Sequence, residues 1–247
     1  MTTPYRTADS YSKAMTSNHL AITLQGVTKA FSLGDGQELE ALNIPALELP
    51  AASYTVLKGP SGSGKTTLLN LVAGITTPTS GQIWLASTDI FALPEARRDR
   101  FRAEHIGYVF QTFNLLAPLT ALENVLLAMM FTGKLPKRHQ RQRAASMLSR
   151  LGLGARLSHR PQQLSRGEQQ RVAIARALVN EPPVILADEP CASLDPRTAQ
   201  AVMAEFLVIC REDHKTVLLV SHEENVLQGA DRILDMTALN RSVGSLP

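Results

Sequence analysis

Apolar positions alternate along the chain at Leu20, Ile22 and Leu24 and continue at Val27 and Phe31, which predicts a strand of a mixed sheet; Leu42 to Leu49 reads as its hairpin partner. Other apolar runs do not alternate. Tyr54 to Leu57 reads as a buried strand, and Pro183 to Ala187 as a central parallel strand covered on both faces. Thr216 to Val220 is a further strand parallel to these, and Ile106, Tyr108, Val109 and Phe110 form one that ends on Gln111. Gln82 to Leu85 is a short strand carrying the only tryptophan, Trp84, read as packing. Helical spacing follows Tyr54–Leu57 at Leu68 to Ala73, and Ala96 to Glu104 reads as a solvated helix carrying Arg97, Arg98, Arg100 and Arg102. From Leu115 to about Gln163 the pattern is helical throughout. Thr120-Ala-Leu-Glu123 is a capping box opening a helix through Phe131, and Ala144, Met147, Leu148 and Leu151 make one stripe of a second helix. The prediction is an α/β fold with an antiparallel N-terminal β part and a helical subdomain inserted over about 113–175.

Composition narrows the setting more than the activity. At 247 residues the chain fits one large domain, and 25 basic against 22 acidic residues is too even a balance to call for nucleic acid. Cys191 and Cys210 lack C-x-x-C spacing, so neither a zinc site nor a disulfide framework is expected, and a reduced cytoplasmic setting is the default. No apolar run reaches the roughly 20 residues that span a bilayer. Residues 1–18, rich in Thr, Ser and Tyr, read as a mobile extension without the apolar core of a signal peptide. Charge is uneven in one place: between Asn124 and Gly167 there is no acidic residue but nine Lys or Arg. Two readings stand for that surface, a solvated face and a dock for an acidic partner or anionic lipid head groups.

The chemistry is concentrated at three strand ends. Gly59 to Thr66 fits G-x-x-x-x-G-K-[ST] between a predicted strand and a predicted helix. Gly59, Gly62 and Gly64 let the backbone curl so that N–H groups point at phosphate oxygens, and the helix adds its positive end. Lys65 would meet the β- and γ-phosphates and Thr66 would take a place on Mg²⁺. The alternative is a Gly-rich turn that binds nothing. Pro183–Ala187 ends on Asp188-Glu189, where open α/β sheets bind ligands; Asp188 would hold Mg²⁺ and Glu189 would orient or deprotonate water. Thr216–Val220 ends on Ser221-His222, from which His222 can reach a γ-phosphate or else serve as a helix cap or surface residue. Phe31 is the early aromatic that stacks on a base or else belongs to the core.

Together these residues resemble the ATP-binding subunit of an ABC transporter over nearly the whole chain from about His19. The cradle is similar to the Walker A element and Val184 to Glu189 to Walker B. Leu164-Ser-Arg-Gly-Glu-Gln-Gln-Arg171 is similar to the family signature, Gln111 to the Q-loop, Ser193-Leu-Asp195 to the D-loop and His222 to the switch histidine. The resemblance implies a P-loop NTPase fold of ABC ATPase type, ATP and Mg²⁺ as cofactors, and ATP hydrolysis coupled to transport. It implies Gly59, Pro60, Ser61, Gly62, Ser63, Gly64, Lys65, Thr66 and Thr67 around the phosphates, Phe31 on the adenine, and Thr66, Asp188 and Gln111 at the metal. It also implies Gln111, Glu189 and His222 in hydrolysis, Asp195 among the nucleotide-binding residues, and Ser165 and Gly167 closing over the nucleotide of a second, head-to-tail copy. It implies too that the helical insert docks on a membrane-spanning permease, with the chain lying peripherally on the inner face of the membrane.

Phe110-Gln-Thr-Phe-Asn-Leu-Leu116 and Leu119-Thr-Ala-Leu-Glu-Asn-Val125 are most similar to the lipoprotein-releasing and macrolide-efflux branch, in which a periplasmic adaptor often joins the permease. An importer subunit and a cell-division-type ATPase that signals through a membrane partner are the alternatives. Three residues depart from the family's usual pattern. Arg166 and Glu168 stand within the signature, where Ser165-x-x-Glu168 makes a capping box and Arg166 is expected to offset the Glu168 charge. Cys191 stands in a place commonly held by Thr and reads either as a small buried hydrophobe or as an exposed reactive thiol.

Overall fold

The computed structural model describes residues 20–34 and 37–242; the mobile extension expected over residues 1–18 lies outside them. Strand directions are divided between two sheets. β1 (Leu20–Gly34) pairs antiparallel with β2 (Gln37–Pro50) and with β4 (Ser80–Leu85), and β5 (Thr88–Asp89) completes the order β2-β1-β4-β5. The second sheet is wholly parallel, in the order β6 (Ile106–Val109), β7 (Val184–Asp188), β8 (Thr216–Val220), β3 (Tyr54–Lys58), β9 (Arg232–Asp235).

The non-alternating runs follow from burial on both faces. Ile185 and Ala187 of β7, with Val217 and Leu219 of β8, enter one core. That core also takes Val125 of α3 (Ala121–Met129), Met147 of α4 (Lys137–Arg150), Ile174 of α5 (Arg166–Leu178) and Phe206 of α6 (Pro196–Glu212). Leu186, Leu218 and Val220 point the opposite way, into a second core with Ile22, Leu24, Ile44, Ile83 and Leu68 and Leu71 of α1 (Lys65–Val72). Each strand is therefore apolar at successive positions because each side chain has a core to enter. The strand ends, where the polar residues stand, are left at the sheet's C-terminal edge.

The helices match their predicted character. α2 (Glu95–His105) buries no side chain, whereas Ala144, Met147 and Leu148 of α4, with Leu151 after it, are all buried. The Thr120 hydroxyl accepts from the Glu123 N–H at 3.2 Å and the Glu123 carboxylate accepts from the Thr120 N–H at 2.8 Å, so α3 opens on the expected box. It stops at Met129 rather than Phe131, and Met130 and Phe131 are each 70% exposed beyond it. Trp84 is only half-buried.

The basic stretch is not one surface. Arg143 pairs with Glu181, and Arg150 reaches Glu212 at 2.8 Å and Asp213 at 2.9 Å, so two of its cations tie α4 to the segment before β7 and to the end of α6. Exposed pairs of this kind contribute about 0–1 kcal/mol each and act mainly on orientation. Lys137, Arg138 and Arg141 of α4 are exposed.

Candidate functional site

The chain leaves β3 at Lys58 and turns through Gly59–Gly64 into α1. Gly64 caps that helix in the left-handed region, at φ 92°, and an added Cβ would stand 2.9 Å from the Ala41 carbonyl oxygen. Only glycine fits both conditions. The Ala41 oxygen is present because β2 carries an extra residue there: Lys29 pairs with Leu42 and Ala30 with Glu40, leaving Ala41 unpaired as a bulge beside the loop. The Lys65 ammonium folds back over the loop, donating to the Gly59 and Pro60 carbonyls at 2.6 and 2.8 Å.

A cavity of about 350 Å³ opens above this loop, lined by Ala41, Ser61, Gly62, Gly64, Lys65, Thr66 and Thr67 together with Gln111, Asp188, Glu189 and His222. Four strand ends thus bring ten of the sequence-predicted residues into one place. Larger concavities of about 710 and 820 Å³ lie elsewhere but contain none of the cradle residues, so chemistry rather than volume selects the site. Thr66 Oγ1 donates to Asp188 Oδ2 at 2.8 Å, joining the start of α1 to the end of β7. Burial raises the Asp188 carboxyl above its ordinary range, the Thr66 hydrogen bond opposes this, and the neighbouring Glu189 adds to it.

Glu189 is the strained member of the set. Its φ is 42°, in the left-handed region that a non-glycine residue enters at a cost of about 1 kcal/mol or more. Its N–H donates to the Val220 carbonyl at 3.1 Å, which fixes the turn against β8. The consequence is a carboxylate whose Oε1 lies 3.7 Å from His222 Nε2, at the mouth of the cavity.

Other predicted residues stand outside the cavity. The Gly59 and Pro60 carbonyls hold Lys65, and Ser63 is buried beneath the loop. Phe31 does not belong to the core: it is 41% exposed, with Lys29 Nζ 4.9 Å from its ring centre, on the strand that flanks the Ala41 bulge. Ser165 caps α5, accepting from the Glu168 N–H at 3.2 Å while the Glu168 carboxylate accepts from the Ser165 N–H at 2.8 Å. Gly167 is buried where the starts of α5 and α6 meet, and an added Cβ would lie 2.5 Å from Thr198 Cγ2. Asp195 caps α6 through the Thr198 N–H at 3.1 Å.

The expected Arg166–Glu168 pair does not form. Glu168 accepts instead from Arg156 Nε at 3.0 Å, and Arg166 Nη1 donates to the Ser193 carbonyl at 3.2 Å. At the first turn of a helix, residues 166 and 168 diverge around the axis, and each finds a partner on its own side. The Glu168 carboxyl is held below its usual range first by the Ser165 N–H, with burial opposing and Arg156 assisting. Cys191 is 4% exposed and burial pushes its thiol up to about 12, so it packs and the reactive reading fails.

Sequence reasoning missed the Ala41 bulge, the backbone strain at Glu189 and the buried Asn240. A bulge and a positive φ at Glu leave no mark in residue type. Asn240 donates to the Ala41 and Ser63 carbonyls, and its distance in sequence from both hides the contact.

Residues 42–192, more than half of the chain, match the family model described as ABC transporter. The chain belongs to the ABC transporter family. This ABC ATPase is 44% identical over 190 residues to the lipoprotein-releasing system ATP-binding protein LolD of Pseudomonas fluorescens, covering 77% of this chain and 83% of that protein. It is 43% identical over 216 residues to the macrolide export ATP-binding/permease protein MacB of Rhodopirellula baltica; there the match covers 87% of this chain but only 31% of the relative's length. Among solved structures it is similar to the ATP-binding cassette MJ0796 of Methanocaldococcus jannaschii, in a dimeric post-hydrolysis state with ADP and Pi. That similarity has a TM-score of 0.79 at 39% identity and covers 87% of this chain and 93% of the other. ATP binding and ATP hydrolysis are accordingly the activity of the family to which the chain belongs.

Proposed function

We propose that this ABC ATPase pairs head to tail with a second copy of itself around ATP and thereby drives a membrane-spanning permease of the exporting or force-transmitting kind. The observation that carries the reading is the division of the site. Lys65, Thr66, Asp188, Glu189 and His222 surround one cavity, while Ser165 stands at a helix start outside it. A hydroxyl and first-turn N–H groups at a helix N-terminus suit an anion, and a second copy would bring them to the open side of the cavity. The dimeric state of MJ0796 supports this, and the similarity to LolD supports the branch.

In this reading Lys65 and Thr67 bind phosphate oxygens and Phe31 stacks on the adenine. Gln111 orients the attacking water, Glu189 takes its proton, and His222 contacts the γ-phosphate. Ser165 and Gly167 of the other copy close over the γ-phosphate, and Asp195 keeps the start of α6 packed beside them. Thr66 and Asp188 offer hard oxygen atoms in one hydrogen bond, with the Gln111 amide on the same cavity, a donor set that fits Mg²⁺. When bound, Mg²⁺ would neutralise charge on the phosphate oxygens. The permease chooses the cargo and any periplasmic adaptor joins through it. No helix among the described residues is long and apolar enough to cross a membrane, which accords with peripheral attachment on the cytoplasmic side.

The groove of about 710 Å³ between α1, α2 and the end of α3 is the permease dock in this account. Ile75 and Phe131 are exposed on it beside the stacked rings of Tyr108 and Phe110, an apolar patch rimmed by Asp99, Arg100 and Arg102. Phe131→Glu is expected to lower recovery of the permease with the tagged chain from native membranes by about tenfold or more. ATP affinity should not change. Equal recovery from both proteins contradicts the dock.

A further inference from the structure

We infer that Asn240 is a positioning residue of the nucleotide cradle, acting through the carbonyls of Ser63 and Ala41. The inference rests on the reading of Gly59–Thr66 as that cradle. Asn240 follows α7 (Met236–Leu239), far from the loop in sequence, and is 2% exposed. Its Nδ2 donates to the Ser63 carbonyl at 3.1 Å and to the Ala41 carbonyl at 3.1 Å. Its Oδ1 accepts from the Asn43 N–H at 2.7 Å and the Ser242 N–H at 3.2 Å. Two donors meet two carbonyls and one oxygen meets two N–H groups, so the carboxamide is fully used and only one orientation fits.

The Ser63 contact aims the loop. In a trans peptide the C=O and the following N–H point in opposite directions. Holding the Ser63 oxygen down on Asn240 therefore turns the Gly64 N–H the other way, toward the cavity that Gly64 lines. Released, the Ser63–Gly64 peptide can rotate, since glycine on one side offers little steric resistance, and a flipped peptide presents a carbonyl oxygen to phosphate. The Ala41 contact fixes the bulge against the same loop. Residues 240–242 form a strap stapled along β2, with Arg241 N–H on the Asn43 carbonyl at 2.9 Å and Ser242 Oγ on Glu40 at 2.6 Å. The C-terminal strap thus sets the direction of a phosphate-binding N–H without touching phosphate.

Asn240→Asp tests this, because it keeps the acceptor toward Asn43 and Ser242 and replaces the donor by a like-charged oxygen. ADP binding is measured by calorimetry on the full chain, well below the variant's melting temperature, near pH 8 and near pH 6. Affinity relative to wild type should fall about tenfold near pH 8. It should recover as the pH drops, because a buried carboxyl facing two carbonyls has a raised pKa and, once protonated, donates again. If Asn240→Asp does not fold, Asn240→Ala is read for the same tenfold loss, without the pH recovery. A lower melting temperature with affinity within about twofold of wild type makes Asn240 a structural clamp only and overturns the inference. Lys65→Ala separates the two claims: it should lose ADP binding, and an unchanged affinity there overturns the cradle reading itself.

Discussion

Glu189→Gln is expected to slow phosphate release by about 10²–10⁴-fold, the range for loss of a positioned general base. ATP binding should survive. The amide has the shape of the carboxylate but cannot accept a proton, and it leaves Lys65, Thr66 and the loop untouched. Because Glu189 is held by its own backbone turn on Val220, the substitution should not displace the side chain from beside His222. ATP that is bound but not cleaved should keep two copies together, so the variant is expected to elute as a dimer with ATP and as a monomer without it. Turnover at the wild-type rate would remove Glu189 from the chemistry, and a monomer with ATP would separate hydrolysis from pairing.

Gly64→Ala is the second large effect, and it reaches both stability and binding. The residue's φ of 92° is unfavourable for alanine, and the new methyl group would meet a backbone oxygen at 2.9 Å and the Leu42 and Asn240 side chains at 3.2 Å. The oxygen belongs to the bulge and is already hydrogen-bonded to Asn240, so it cannot give way cheaply. A loss of about 2–4 kcal/mol of stability is expected. For a chain of this size that lowers the melting temperature by about 5–15 °C. Mis-aiming two or three loop N–H groups should weaken ATP binding by about 100-fold. Thermal unfolding and calorimetry on the same sample check both, and wild-type values in each would show that the loop tolerates a side chain there.

Both predictions depend on features of unequal visibility in the sequence. The parallel sheet was legible because burial on both faces erases alternation, so Pro183–Ala187 and Thr216–Val220 announce themselves by composition. Their polar ends, Asp188-Glu189 and Ser221-His222, were legible for the same reason, since a buried strand that stops on polar residues must stop at an edge. Phe31 is not placed by the sequence, because an aromatic in an alternating strand has the same pattern whether its face is covered or bare. Arg166 and Glu168 do not pair because proximity in sequence is not proximity in space, and Arg156, twelve residues from Glu168, holds the better position. Asn240 and the Ala41 bulge are tertiary facts: a backbone carbonyl has no letter in the sequence.

The central claim is that the cradle of one copy works with the signature of another, and complementation tests it most directly. Lys65→Ala and Ser165→Ala chains are each expected to be inactive alone. In a mixed pair, one site combines both defects, and the other joins an intact Lys65 to an intact Ser165. Mixing the two inactive proteins should restore ATPase activity; a mixture no more active than its components would contradict a site shared between two copies.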